Sequence, residues 1–127
     1  MSQGKLLILD DDKNMARLLE VVLESHYDIT IAHTIDSALT SFDQHSYDAV
    51  ILDLNLNGED GMNMITSIRA RNKWLPVLVV SGKEKSGDRI TCFQADVDDY
   101  LIKPFNPEEL TLRLARNISR FKQIESR

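Results

Sequence analysis

The sequence predicts an α/β fold: a doubly wound, five-stranded parallel sheet with five helices covering both of its faces. Three short apolar segments have the composition of strands buried on both sides of such a sheet. They are Leu6–Leu9, Ala49–Leu52 and Val77–Val80. Segments with helical spacing of apolar residues alternate with the strands along the chain. This alternation is typical of parallel strands joined by crossover helices.

Two further strands are less apolar and are expected at the edges of the sheet. Tyr27–Ala32 is rich in β-branched residues. Its polar residues Asp28 and Thr30 suit a strand with one face toward the core and the other toward solvent. Tyr100–Ile102 is short. Right-handed crossovers and a central first strand favour the flavodoxin-like order 2-1-3-4-5. In that order the second and fifth strands are the edges.

Start signals mark three of the five predicted helices. Asp12 and Thr34 are expected to cap the first two. Asn106 is expected to cap the last, with Pro107 at its first position and Glu109 completing a capping-box-like pair. The residues expected to face inward are Met15, Leu18, Leu19 and Val22 in the first helix, Ile35, Ala38, Leu39 and Phe42 in the second, Met62, Ile65 and Ile68 in the third, Ile90 and Phe93 in a fourth helix from about Ser86 to Ala95, and Leu110, Leu114, Ile118 and Phe121 in the last.

The composition indicates a single domain over residues 1–127 and excludes several function classes. The length of 127 residues is enough for one core and too short for two domains. No apolar run approaches the roughly 18 residues that a membrane span needs. A net charge of −5 argues against direct binding of nucleic acid through its phosphates. The single Cys92 cannot form an internal disulfide, which fits a cytoplasmic location.

Polar residues follow four of the five strands, at the point where each strand ends. The carboxyl ends of strands in an open α/β sheet line the crevice in which ligands bind. The residues are Asp10 and Asp11 after the first strand, Asp53 after the third, Ser81 after the fourth and Lys103 after the fifth. At about 4 Å and an effective dielectric constant of about 20, two carboxylates repel by about 4 kcal/mol. Such a cluster therefore has to hold a proton or a cation.

The expected cation is Mg²⁺, which binds one or two carboxylates and keeps several waters. A nucleophilic carboxylate, a metal ion, a hydroxyl and a fixed ammonium also match the needs of an incoming phosphoryl group. Asp53 would be the nucleophile, Lys103 would neutralise charge, and Ser81 could donate a hydrogen bond to a phosphoryl oxygen. Taken singly, each residue also has an ordinary explanation, such as a solvated turn for Asp10 and Asp11. Only their combination at the strand ends is specific.

In these motifs, and over nearly its whole length, the chain resembles the receiver domains of response regulators in two-component signalling. The matching motifs are the acidic pair Asp10-Asp11, the phospho-acceptor Asp53, the switch hydroxyl Ser81, the switch aromatic Tyr100, and Lys103-Pro104-Phe105 as the family's Lys-Pro-Phe. The resemblance implies that Asp11, Asp53 and the backbone carbonyl of Asn55 bind Mg²⁺, with Asp10 acting through water. It also implies a cis peptide bond between Lys103 and Pro104.

The sequence departs from the family pattern in three places. Asn57 stands where members commonly have Pro, so the loop between Asp53 and Gly61 is expected to be more mobile. Asp96 stands where many relatives have Gly, and Asp tolerates a left-handed backbone better than most residues. Ser81 with Gly82 replaces the commoner Thr with Ala. None of these departures removes a chemical group from the site.

Other function classes fit the sequence less well. A phosphohydrolase of the haloacid-dehalogenase type also uses Asp, Ser or Thr, Lys and Mg²⁺, but it needs a general acid two residues after the nucleophile. That position is Asn55, which cannot exchange the proton. A flavodoxin-like nucleotide binder would need a Gly-rich loop after the first strand, where this chain has acids. A degenerate receiver used as a scaffold is disfavoured because every site residue is present.

The resemblance therefore implies a signalling switch rather than an enzyme. Its only catalysis would be its own phosphorylation and slow dephosphorylation. A histidine kinase would phosphorylate Asp53, and the output would be an effector domain or partner, in transcription regulation. A stand-alone receiver that acts by protein–protein binding or in a phosphorelay is the alternative. His26, His33 and His45 share no metal-ligand spacing and are expected on the surface.

The expected output surface combines the fourth helix, the fifth strand and the last helix. The segment Asp98–Leu101 is similar to that of receivers attached to winged-helix DNA-binding domains, which pair through this face. A phosphorylation-dependent homodimer is expected to need a patch in which acid meets base both ways. The charged residues of this face are Lys85, Asp88, Arg89, Asp98, Asp99, Arg113, Arg116 and Arg120.

Overall fold

Five parallel strands form the main sheet of the computed structural model, which describes residues 2–56, 58–82 and 97–125. The strands of this sheet are β1 (Lys5–Leu9), β2 (Asp28–Ala32), β3 (Ala49–Leu52), β6 (Val77–Ser81) and β7 (Asp99–Ile102). A short hairpin, β4 (Asn55–Leu56) and β5 (Glu59–Asp60), lies between β3 and β6 in the chain. The main sheet has the order β2-β1-β3-β6-β7, and every neighbouring pair is parallel. Counted without the hairpin, this is the predicted order 2-1-3-4-5.

Four helices are present in the described residues: α1 (Lys13–Leu23), α2 (Ile35–Gln44), α3 (Gly61–Arg71) and α4 (Pro107–Glu125). The predicted helix from about Ser86 to Ala95 lies outside them. The three expected caps are confirmed. The Asp12 carboxylate accepts from the backbone N–H groups of Asn14 and Met15, and the Thr34 hydroxyl accepts from that of Ser37. Asn106 Oδ1 accepts from the backbone N–H groups two and three residues later, at 2.9 and 3.4 Å.

Strand side chains alternate between two apolar clusters, one on each face of the sheet. Leu7 and Leu9 belong to the cluster beneath α2 and α3. Leu6 and Ile8 belong to the cluster beneath α1 and α4. All four are fully buried, and each contributes about 1.5–3 kcal/mol of hydrophobic free energy. This two-sided burial explains why the strand sequences show no polar break. None of the helices in the described residues is long and apolar enough to cross a bilayer.

Helix α1 faces the sheet with three of its four expected residues: Leu19 is buried, and Met15 and Val22 are partly buried against the same cluster. Its buried residues are Ala16, Leu19 and Leu23, while Leu18 is 46% exposed. The buried side of α1 is centred near Leu19, and Leu18 lies about 100° away from that centre on the helix surface, so it meets solvent at the angle at which α1 docks. The i, i+3, i+4, i+7 pattern allowed either residue, and the expectation for Leu18 was wrong. In α3, Ile65 and Ile68 are buried as expected, and Met64 is buried as well.

The segment after β3, expected to be a loop, contains an antiparallel hairpin. Asn55 pairs with Asp60 and Leu56 pairs with Glu59. Gly58 sits at the turn with φ of 91°, a left-handed conformation that glycine adopts without strain. Asp60 then caps α3 by accepting a hydrogen bond from the Met62 backbone N–H at 2.9 Å. Asn57, where the sequence departs from the family pattern, lies outside the described residues.

Candidate functional site

The sheet itself fixes the backbone of three site residues. Each of them follows its own strand and donates its backbone N–H to the last carbonyl of the neighbouring strand. The bonds are Asp10 N–H to Ala32 O at 3.1 Å, Asp53 N–H to Leu9 O at 3.0 Å, and Lys103 N–H to Ser81 O at 2.9 Å. The ladder of the parallel sheet therefore continues one residue beyond the strands. It brings together residues that are far apart in the sequence.

The Lys103 ammonium bridges two buried carboxylates. Its Nζ lies 2.8 Å from Asp53 Oδ2 and 3.2 Å from Asp10 Oδ2. Asp53 and Asp10 are only 7% and 2% exposed, so water screens these charges weakly. The predicted convergence of Asp10, Asp53 and Lys103 at one crevice is what the structure shows.

Burial and the ion pairs shift the pKa values of this cluster. Burial raises the pKa of Asp10 above its ordinary value, and the Asp12 N–H and the Lys103 charge offset only part of that rise. For Lys103, burial lowers the pKa. The hydrogen bond to Asp53 and the charges of Asp10 and Asp53 outweigh it, so the Lys103 pKa lies above its ordinary value. The ammonium is therefore held in its charged form.

A third carboxylate, Asp11, completes a group suited to a cation. Carboxylate oxygens of Asp10, Asp11 and Asp53 all lie within 4.8 Å of one another, and Asp11 is half-buried. Two oxygens on opposite sides of one Mg²⁺ are separated by about 4 Å, because each Mg–O bond is about 2.0–2.1 Å. The carboxylates fit such an ion with small side-chain adjustments. Asn55, whose backbone carbonyl was the further predicted ligand, begins β4 two residues after Asp53.

The three consecutive acids that follow β1 make different contacts. Asp12 caps α1, as expected. Asp10 Oδ1 accepts from the Asp12 backbone N–H at 2.9 Å, and Asp10 Oδ2 faces Lys103. Both Asp10 oxygens are thus already engaged, whereas Asp11 reaches solvent. This difference supports Asp11 as the direct metal ligand and Asp10 as a ligand through water.

Two residues that the sequence did not assign to the site lie against its backbone. His33 Nδ1 lies 2.8 Å from the carbonyl oxygen of Asp10, and His33 is half-buried, so the expectation of a plain surface histidine was wrong. A Cβ atom at Gly61 would lie 2.8 Å from the Asp53 carbonyl oxygen and 2.7 Å from Leu54 Cα. A side chain there would push on the Asp53 loop. The available signals were the place of His33 just after β2 and the Gly at the start of α3.

Ser81 and Tyr100 occupy neighbouring strands of the sheet. Ser81 is the last residue of β6 and is fully buried. Tyr100 lies in β7 and is 5% exposed, inside the apolar cluster beneath α2 and α3. The Lys103–Pro104 peptide bond is cis, as the family resemblance implied.

Two acids of the expected output face, Asp98 and Asp99, already form ion pairs within the chain. Asp99 is the first residue of β7 and is buried, with its carboxylate 2.5 Å from Arg113 and 3.4 Å from the Asn117 amide. Asp98 pairs with Arg69 at 3.0 Å and accepts the Val77 backbone N–H at 2.8 Å. Asp99 is therefore not available on the surface as expected, whereas Asp98 is exposed but already paired. Lys85, Asp88 and Arg89 lie outside the described residues.

Comparisons with known proteins show the family of this chain. The family model of the response regulator receiver domain matches residues 6–115. The transcriptional regulatory protein ResD of Bacillus subtilis (strain 168) is 34% identical over 123 residues, which are 96% of this chain and 51% of ResD. The chain spans about half the length of the curated relatives it matches.

Solved structures share the whole fold. A response regulator receiver domain protein (CheY-like) from Methanospirillum hungatei JF-1 superposes with a TM-score of 0.90, at 21% identity, over 96% of this chain and 98% of that one. A putative response regulator from Chloroflexus aurantiacus J-10-fl gives a TM-score of 0.85 at 34% identity, over 91% and 98% of the two chains. Because the family model covers most of its length and the acidic crevice, lysine and fold all agree, this chain belongs to the response regulator receiver domains of two-component systems.

Proposed function

We propose that the chain is a phosphorylation-dependent switch that accepts a phosphoryl group from a histidine kinase on Asp53. The observation that supports this most directly is the Asp53 carboxylate at the end of β3, 2.8 Å from the Lys103 ammonium and beside Asp10 and Asp11. The direct experiment is incubation with acetyl phosphate and Mg²⁺, followed by intact mass measurement. The protein should gain the mass of one phosphoryl group, and no gain would count against the proposal.

The proposed chemistry needs only one nucleophile and a matched set of positive charges. An Asp53 carboxylate oxygen bonds to phosphorus while the bond from phosphorus to the kinase histidine nitrogen breaks. The nitrogen keeps the electron pair, and Asp53 becomes an acyl phosphate. Bound Mg²⁺ would neutralise charge on the phosphoryl oxygens. The Lys103 ammonium is placed to share that task, and Ser81 would donate a hydrogen bond to a phosphoryl oxygen.

We expect Asp11→Ala to lose Mg²⁺ affinity without losing stability. Asp11 is the most accessible carboxylate of the cluster, and its removal also relieves repulsion in the metal-free protein. Calorimetric titration with Mg²⁺ should show about 10–100-fold weaker binding. The metal-free variant should unfold at the same or a slightly higher temperature. Asp28→Ala, which removes an exposed acid on β2, is the control, and unchanged Mg²⁺ affinity in Asp11→Ala would refute the assignment.

We propose that Ser81 and Tyr100 transmit the signal. Tyr100 is already buried here, so phosphorylation would stabilise this buried position against an outward one. A ligand shifts such an equilibrium only through contacts that differ between the two states, and a bond from Ser81 to the phosphoryl group supplies one.

Ser81→Ala should therefore still accept the phosphoryl group but respond more weakly. Wild type and variant, labelled to the same extent, can be compared by NMR. The chemical-shift changes around Tyr100 on phosphorylation should be smaller in Ser81→Ala. Equal changes in the two proteins would mean that the Ser81 hydroxyl does not couple the sites.

The output is proposed to be transcription regulation through an effector domain or partner. ResD is named a transcriptional regulatory protein, and this chain matches about half of it. A stand-alone receiver that binds another protein, or that acts in a phosphorelay, remains the rival. Sedimentation of the activated protein separates these readings, since paired receivers should dimerise.

For the dimer, Arg116→Glu is a cleaner test than Arg113→Glu. Arg113 already pairs with the buried Asp99, and reversing its charge would destabilise the monomer. Arg116 is exposed on the same helix. With beryllium fluoride and Mg²⁺, wild type should shift from monomer to dimer, and Arg116→Glu should dimerise about tenfold more weakly. Lys122→Glu, on another side of α4, should behave as wild type. An activated wild type that stays monomeric would favour the partner-binding alternative.

A further inference from the structure

A groove lies at the end of the sheet opposite to the proposed phosphorylation site. It has a volume of about 510 Å³ and lies between the C-terminal parts of α3 and α4 and the starts of β6 and β7. Pro76 and Val97, which precede those two strands, line it together with Phe121 from α4. A volume of this size is within the range of ligand and peptide pockets, about 300–1,000 Å³.

The groove has an apolar interior and an unusually apolar rim. Val97 and Phe121 are buried, at 6% and 5% exposure. At the rim, Trp74 is 55% exposed and Ile124 is 39% exposed. Exposed aromatic side chains beside a buried apolar surface are typical of interfaces, in which Trp is enriched among the residues that contribute most to binding.

The charges at the groove are positive, although the whole chain carries −5. Asp98 pairs with Arg69, with 3.0 Å between Arg69 Nη2 and Asp98 Oδ2, and the charge of Arg120 acts on Asp98 as well. Asp98 is the one acid among the described residues that line the groove, against three cations. Lys73 and Arg120 also line the groove, and neither forms an ion pair within 4 Å in the part of the chain that the structure describes. The Lys73 ammonium lies 5.2 Å from the centre of the Trp74 ring. Two cations therefore flank an exposed apolar slot.

We propose that this groove binds a short acidic segment of a partner protein. An apolar side chain of that segment would enter between Trp74 and Phe121, and flanking carboxylates would meet Lys73 and Arg120. A second copy of this chain fits poorly, because a two-fold contact centred on the groove would bring the Lys73 and Arg120 cations of both copies together. Asp98 and Arg120 also belong to the proposed dimer face, so binding at the groove is tested on the unphosphorylated protein. A nucleotide phosphate also fits poorly, because no helix of the described residues begins at the groove, so these residues offer no set of free backbone N–H groups to bind it.

Binding at the groove does not require the chemistry of Asp53. The groove is at the amino ends of β6 and β7, and Ser81 and Lys103 follow their carboxyl ends, about 15 Å away for strands of this length. Asp53→Asn should therefore bind the segment as wild type does. The peptide-binding result therefore tests the groove alone, and the phosphorylation of Asp53 is tested independently of it.

The experiment begins with selection from a displayed library of random 12-residue peptides on the unphosphorylated protein. We expect the selected peptides to combine Asp or Glu with Leu, Ile or Phe. One selected peptide is then synthesised without Trp and titrated while the fluorescence of Trp74, the only tryptophan of the chain, is recorded. Its emission should shift to shorter wavelength as the ring loses water. Selection of basic peptides, or of no peptides, would overturn the proposal.

Variants test whether the selected peptide binds in the groove. The double variant Lys73→Glu, Arg120→Glu should bind the peptide about tenfold more weakly, because two favourable charge contacts become repulsive. Lys122→Glu reverses one charge on the other side of α4 and should bind within about twofold of wild type. Thermal unfolding checks that each variant is folded. Equal affinity in the double variant and wild type would place the peptide elsewhere and refute the groove.

Discussion

Asp53→Asn is expected to accept no phosphoryl group from acetyl phosphate in the presence of Mg²⁺. The amide that replaces the carboxylate has nearly the same shape but is a very weak nucleophile, so the bond to phosphorus cannot form. The other candidate acceptor beside Lys103 is Asp10, which is 2% exposed and has both oxygens engaged. Intact mass spectrometry should therefore show complete loss of labelling in Asp53→Asn.

The control for this result is Asp48→Asn, a half-buried carboxylate at the opposite end of β3. It should label as wild type does, because Asp48 lies at the start of β3 and far from Lys103. Circular dichroism should show the same fold in all three proteins. Labelling of Asp53→Asn at the wild-type level would move the assignment to another residue. Peptide mapping would then identify that residue.

The residues that meet at the carboxyl ends of the strands were predictable, because neighbouring parallel strands end side by side. Once the apolar runs at Leu6–Leu9 and Ala49–Leu52 are assigned to adjacent central strands, Asp10 and Asp53 must meet, whatever their side-chain conformations. The caps were predictable for a similar reason. Asp12 and Asn106 act on backbone groups two or three residues away, so no tertiary information is needed.

The remaining contacts depend on which distant segments come close, and the sequence does not encode that locally. Leu18 and Leu19 have equal hydrophobic character, and only the docking angle of α1 decides which one faces the core. The Asp99–Arg113 pair joins a strand to a helix 14 residues later. The contact of His33 with the Asp10 carbonyl depends on how two strand ends sit side by side. In each of these cases, contacts between distant segments decide the outcome, and the local sequence pattern does not.

The buried charges favour a functional rather than a purely structural role for the site. Three carboxylates and one ammonium at the end of the sheet carry an excess of negative charge in a poorly screened crevice. A core built for stability alone would place apolar residues there. Under the proposed function this unfavourable electrostatic energy has a use, because the same arrangement would hold a metal ion and receive a phosphoryl group. In the metal-free protein, Lys103 is the main compensation for the buried acids.

Lys103→Met is therefore expected to lower the free energy of unfolding by about 3 kcal/mol at pH 7 in the absence of Mg²⁺. Methionine keeps much of the aliphatic length, so the loss reports on the ammonium rather than on packing. Removal of the ammonium leaves the buried Asp10 and Asp53 without their cation. Urea unfolding at fixed pH, with Lys122→Met as the exposed-lysine control, measures the difference.

The pH dependence distinguishes this electrostatic cause from a packing defect. The folded-state pKa of Lys103 is raised, so its stabilising contribution is fully present below the ordinary lysine pKa and is lost only as the pH rises through the folded value. The folded-state pKa of Asp10 is also raised, which favours the folded state at low pH. Without Lys103 that pKa should rise further, because the ammonium is one of the groups that lowers it.

The stability gap between wild type and Lys103→Met should therefore be widest near neutral pH and should narrow as the pH falls and Asp10 takes up a proton in the variant. Added Mg²⁺ should stabilise Lys103→Met more than wild type, since a divalent cation replaces part of the missing positive charge. The variant should also accept the phosphoryl group much more slowly, because Lys103 no longer neutralises charge on it. A stability gap that is absent at pH 7, or that does not narrow at any acidic pH at which both proteins are folded, would show that Lys103 does not balance these carboxylates.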